Sequence, residues 1–175
     1  MRGMRYVAFL RGINVNPATQ VDMAALRAML EGLGYSDVRT HLRSGNAVFS
    51  AEPQPREKIE KAIRDGLDLP VAVMVRTADE LRAVVDGNPL EVREPATFAV
   101  VFLSEPPDRE ELEAIDPARY APEVMRIGER ELYIDFPDGL ARPRLPALLE
   151  KGAKNAGTMR NWNTVTKLLG LVTAP

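Results

Sequence analysis

The pattern of the chain predicts an α+β fold of two α/β-plait (ferredoxin-like) lobes, with antiparallel sheets and helices packed on one face. Two observations carry that expectation. Segments of strand and helix period follow one another as β-α-β-β-α-β up to Arg76, the order of a ferredoxin-like plait. A similar β-α-β-β-α order then partly recurs after Thr97, although no letter-by-letter repeat is visible. A chain of 175 residues is long enough for two such small units. The expected division is residues 1–78 for the first lobe and 79–175 for a linker helix, the second lobe and the C-terminal helices.

The elements follow in order. Tyr6 to Leu10 is apolar and bounded by Arg5 and Arg11, as a first strand should be. Met23, Leu26, Met29, Leu30 and Leu33 recur at helical spacing from about Asp22, and Gly34 stands where a helix would stop. Val38 to Leu42 and Ala47 to Ser50 read as a hairpin through Arg43-Ser44-Gly45-Asn46. Pro55 opens a second helix whose Ile59, Ala62, Ile63 and Leu67 share a face, and Val71 to Arg76 is a strand of buried type. Thr77 and Glu80 have capping-box spacing at the start of a helix over Asp79 to Val85, which Asn88-Pro89 breaks. Beyond it come a strand over Thr97 to Leu103, a short helix over Asp108 to Ile115 and a hairpin of Glu123 to Ile127 with Glu131 to Phe136. Helices over Leu145 to Lys151 and Trp162 to Leu169 complete the reading, the second one opened by Arg160-Asn161-Trp162-Asn163.

Composition narrows the chemistry. The net charge of −2 offers no bulk case for a nucleic-acid or membrane partner. The absence of cysteine excludes disulfides, thiolate catalysis and zinc–sulfur sites. His41 is the single histidine, and with the acidic residues spread over helix surfaces no metal site is expected. No cofactor is expected either. The apolar runs are far shorter than the roughly 20 residues that span a bilayer, so a cytoplasmic protein is expected.

Three polar signatures stand out. Arg11-Gly12-Ile13-Asn14 follows the first strand, Arg43-Ser44-Gly45-Asn46 lies in the hairpin, and Arg160-Asn161-Trp162-Asn163 lies near the C-terminus. Arginine supplies a permanent cation with a fork of donors, asparagine both donors and an acceptor, and glycine lets backbone N–H groups approach a ligand. In a plait of strand order 4-1-3-2, the exit of strand one and the turn between strands two and three share one end of the sheet. The first two signatures are therefore expected to converge. Arg11, Gly12, Asn14, Arg43, Ser44, Gly45 and Asn46 form the candidate ligand site, with Arg160, Asn161 and Asn163 completing it if the lobes fold together. Arg142 and Arg144 are secondary candidates, and Trp162 is expected to pack rather than to bind. Gly12 and Gly45 are expected to need positive φ.

The segments Tyr6 to Val15, Ser44 to Phe49 and Arg160 to Val165 resemble, in sequence and in order, those of the uncharacterised bacterial family known as domain of unknown function 1697. The resemblance extends to Asn88-Pro89-Leu90 and Phe102-Leu103-Ser104 and implies two plait-like halves. It implies no established activity. Family members commonly carry a Gly-Gly-Lys-type stretch where this chain has Asn16-Pro17-Ala18.

The leading expectation is a protein that binds an anionic or phosphate-containing ligand, with nucleotide or nucleic acid among the ligands of that class. Two alternatives stand beside it. One is a small enzyme working through arginine and asparagine without metal, cysteine or histidine chemistry. The other is an interaction or assembly module, for instance a homodimer formed through exposed sheet edges.

Overall fold

A computed structural model describes residues 3–41, 45–152 and 157–174, with the side chains of 150–152 excepted. The chain divides into two compact units, Met1–Ala83 with Lys167–Pro175, and Val84–Thr166.

In the first unit β1 (Met4–Arg11), α1 (Met23–Gly32), β2 (Ser36–Thr40), β3 (Asn46–Ala51), α2 (Arg56–Leu67) and β4 (Ala72–Thr77) succeed one another. The antiparallel sheet has the order β2-β3-β1-β4, the plait order that the sequence predicts. Tyr6, Ala8, Leu10, Ala47, Phe49, Val73 and Val75 turn to the face that Leu26 and Leu30 of α1 and Ile59 and Ile63 of α2 cover. Asp22 caps α1 by accepting from the Ala24 N–H, and Gly34 beyond its end has φ +94°, a conformation that costs a glycine little. Pro55 stands one place before the first helical residue of α2.

The opposite face of this sheet is buried as well: Val7, Phe9, Val48, Met74 and Arg76 are all closed to solvent. A chain segment from far along the sequence lies against it. The Arg5 guanidinium donates to the carbonyls of Leu171 (3.3 Å) and Val172 (3.4 Å), and also to Ser50 Oγ and the Asp37 carbonyl. A cation on the last carbonyls of a helix satisfies orphan acceptors and suits the dipole. At the edge of the sheet, the Val75 N–H on β4 donates to the Glu60 carboxylate at 2.9 Å, which removes a free edge donor.

The second unit repeats the plan. β5 (Phe98–Leu103), α4 (Arg109–Glu113), β6 (Val124–Ile127), β7 (Glu131–Asp135), α5 (Leu145–Gly152) and β8 (Gly157–Asn161) form a sheet of order β6-β7-β5-β8. The Glu123 carboxylate accepts from the N–H groups of Arg144 and Leu145 and so caps α5 rather than extending β6. Arg144 also donates a guanidinium bond to the Ala121 carbonyl. The linking helix α3 (Ala78–Asp86) and the last helix α6 (Trp162–Thr173) each follow the final strand of a lobe. The predicted capping box is present in full: Glu80 N–H donates to Thr77 Oγ1 at 3.1 Å, and Thr77 N–H to Glu80 Oε1 at 2.9 Å.

One element corrects the sequence reading. Arg160 and Asn161 do not open a helix; they end β8, and α6 begins at Trp162. In β8 the polar Thr158 and Arg160 turn inward and Met159 faces out, the reverse of ordinary strand patterning. The strand exposes a repeat that the letters hide. Arg76 is in register with Val7, and Arg160 with Val100. Each arginine donates Nη1 to the carbonyl of the residue before it, Val75 at 3.1 Å and Met159 at 3.0 Å. Each is followed by a residue whose side chain caps the next helix three positions on, Thr77 for Glu80 and Asn161 for Thr164.

Candidate functional site

The site is built where β1 leaves its sheet. Register pairs Phe9 with Asn46, and the Leu10 N–H donates to the Gly45 carbonyl at 2.9 Å. The first signature and the described half of the second therefore stand at one end of one sheet, as the plait order requires. Arg43 and Ser44 lie outside the described residues.

Three residues here have left-handed backbone: Gly12 at φ +92°, Asn14 at φ +56° and Gly45 at φ +98°. The two glycines adopt it at little cost, whereas in Asn14 it costs free energy, and such strain gathers at functional sites and tight turns. The two glycines differ in their surroundings. Space is open around Gly12, whereas a Cβ on Gly45 would lie 2.8 Å from Ile13 Cδ1 and 2.9 Å from Leu10 Cβ. Gly45 is thus required twice, by φ and by close approach, to seat Ile13 in the core.

The two asparagines do structural work with part of each amide. Asn14 Oδ1 accepts from the Val21 N–H at 2.9 Å while its own N–H donates to Thr19 O at 2.8 Å, which closes the loop 14–21. Within that loop Asn16 accepts from Ala18 N–H through its side chain and from Thr19 N–H and Gln20 Nε2 through its carbonyl. Those N–H groups are turned into the loop rather than presented as an anion nest. Asn46 is fully buried, and its Nδ2 donates to the His41 carbonyl at 2.8 Å. An open depression beside the loop is lined by Gln20, Val21, Asp22 and Met23, and the Asp22 carboxylate makes that side unsuited to an anion.

Arg11 has the opposite character. It is exposed at the end of β1, and the ion pairs among the described residues join other partners: Arg27 with Glu31, Arg56 with Glu57, Lys61 with Asp65. Strand alternation puts Arg11 on the face of Val7 and Phe9, away from α1 and α2. His41 reaches the same face: Thr40 pairs with Ala47 on the α1/α2 face, and the next residue donates its N–H to Asn46 O. Partial burial, with Lys167 of α6 as a nearby cation, holds the His41 imidazole below its ordinary pKa. Lys167 carries no signal in the sequence, because only the return of α6 to the first unit brings it there.

The third signature belongs to the second unit. Arg160 is buried and donates to Thr158 Oγ1 at 2.6 Å and to Met159 O, and desolvation lowers its pKa to about 10. Asn161 caps α6, Asn163 is exposed, and Trp162 is half-buried against Phe98, edge to face at 5.4 Å between ring centres. Among the described residues no three His, Cys, Asp or Glu side chains gather as metal ligands, and no helix is long and apolar enough to cross a membrane.

The family model described as "Protein of unknown function (DUF1697)" matches residues 4–133, and the chain belongs to that family. No curated protein matches it. Its fold is similar to that of the conserved bacterial protein SP0830 from Streptococcus pneumoniae, with a TM-score of 0.78 at 21% identity over 97% of this chain and 99% of that one.

Proposed function

We propose that this member of the family binds a small anionic, phosphate-containing ligand at the exit of β1, with Arg11 as its principal cation. The observation that carries the reading is an exposed guanidinium with no ion pair among the described residues, held at a sheet end where Gly12, Asn14 and Gly45 all take left-handed backbone. A free guanidinium fork matches the oxygens of a phosphate in geometry as well as charge. From the sequence, Arg43 and Ser44 add a second cation and a hydroxyl to the same turn. Arg160 and Asn161 have internal roles and stand outside the proposal. Edge pairing into an assembly is less favoured at β4, where Glu60 occupies the Val75 donor.

Calorimetric titration with pyrophosphate and nucleoside diphosphates, at two salt concentrations, tests the reading. Arg11→Ala should lose about tenfold to a hundredfold in affinity, the worth of a charge-assisted hydrogen bond, with unchanged circular dichroism. Arg11→Lys should fail nearly as badly if the fork matters, and salt should weaken wild-type binding. Equal affinity in wild type and variants would overturn the proposal.

A further inference from the structure

An edge strand carries backbone groups that invite a further strand, and folds blunt such edges in recognisable ways. In the second sheet β6 is an edge strand. The Gly128 N–H donates to Glu131 O at 2.7 Å. Bonded and non-bonded pairs alternate along an antiparallel ladder, so the register makes Arg126 with Tyr133 and Val124 with Asp135 the bonded pairs. The main-chain groups of Met125 and Ile127 therefore turn outward. Both of their carbonyls are taken. Arg126 Nη1 donates to Met125 O at 2.9 Å. Arg109 Nη2, from the start of α4, donates to Ile127 O at 3.4 Å and to Gly128 O at 3.3 Å. Both arginines are exposed, and among the described residues neither joins an ion pair.

The other edge strands carry a similar device or a bulge. On β8 Arg160 takes the Met159 carbonyl at 3.0 Å. On β4 Arg76 takes the Val75 carbonyl, while Glu60 and Glu80 accept from the N–H groups of Val75 and Thr77. β2 is bulged between Ser36 and Arg39, where Asp37 has φ +51°. We infer that Arg109 and Arg126 are edge stoppers, which hold β6 shut against strand addition by a second copy of this chain. Arg126 acts twice. A two-fold pairing that used both outward residues would set Met125 opposite Ile127 of the second copy, and the axis would then place Arg126 opposite its own counterpart. Like charges directly opposite on paired strands are destabilising. The guanidinium must also leave the Met125 carbonyl before a strand can bond there.

Arg109→Ala combined with Arg126→Thr removes both cations and suits the local helix and strand. Sedimentation across a dilution series reads the outcome, with circular dichroism as the folding control. Wild type should keep one mass throughout, and the double variant should approach double that mass as concentration rises. Amide exchange locates the surface: the Met125 and Ile127 N–H groups should exchange fast in wild type and slow down in the associated variant. Arg126→Lys in place of Arg126→Thr retains the opposed charges and should associate less. Should the double variant not fold, Arg126→Thr alone is read in the same way. A folded variant that keeps the wild-type mass at every concentration would overturn the inference, as would association that leaves the β6 amides fast. Wild type that itself associates with slowed Met125 and Ile127 amides would overturn it too.

Discussion

The Leu10 amide and the Gly45 carbonyl, 2.9 Å apart, join the two signatures that lie thirty residues apart in the chain. The bond holds Gly45 over Ile13, which is 2% exposed. Gly45→Ala must accommodate both φ +98° and a Cβ within 3 Å of Ile13 and of the backbone-proximal Leu10 Cβ. Strain and overpacking together should cost about 2–4 kcal/mol. Gly12→Ala meets only the strain of φ +92° in open space and should cost about 1–2 kcal/mol. Urea unfolding of both variants checks the ranking; a Gly12 variant that is the weaker of the two would contradict it.

Much of the first lobe is legible in the letters because its apolar periodicities and its stop signals agree. The stripe of Leu26 and Leu30, the glycine at 34 and the Thr77–Glu80 box each predict a feature that is present. The convergence of Arg11 with Gly45 also follows from strand order alone. β8 is hidden because its inward positions carry threonine and arginine, so its pattern is that of a polar loop. The division of labour inside Asn14 and Asn46 is equally hidden: one amide serves a ligand or a backbone, and the letter is the same. The approach of Lys167 to His41 depends on where α6 ends, which no local pattern encodes.

Arg5 ties that helix end down. Its guanidinium bridges Asp37 O, Ser50 Oγ, Leu171 O and Val172 O, and burial lowers its pKa. Arg5→Ala should lose about 1–2 kcal/mol and should release the last turn of α6 first. Amide exchange that accelerates at Leu171 and Val172 ahead of the sheet would bear this out, whereas uniform acceleration would point to global destabilisation.

Trp162 opens α6 and meets Phe98 edge to face at 5.4 Å. The ring is half-buried rather than enclosed, so Trp162→Ala should cost about 2–3 kcal/mol, below the range for a fully buried aromatic. Trp162→Phe should recover most of that loss. Neither variant should alter pyrophosphate affinity in the titration described above; a selective loss of affinity without loss of stability would move Trp162 from packing to binding.

Glu60 supplies a pH dependence whose direction is set by its surroundings. Burial raises the carboxyl above its ordinary value of 4.5, against the lowering effects of the Val75 N–H and of Arg56 and Arg76. Between 4.5 and the folded-state value the native protein therefore holds a proton that the unfolded chain has released. Stability contributed by this group is present below that window and is lost as pH rises through it. Glu60→Gln keeps an oxygen to accept from Val75 and removes the charge. The variant should compare more favourably with wild type at pH 7 than at pH 4, as read by urea unfolding at both. A difference that is flat with pH would mean that Glu60 ionises alike in the folded and unfolded chain. A reversed trend would mean that Arg56 and Arg76 outweigh its burial.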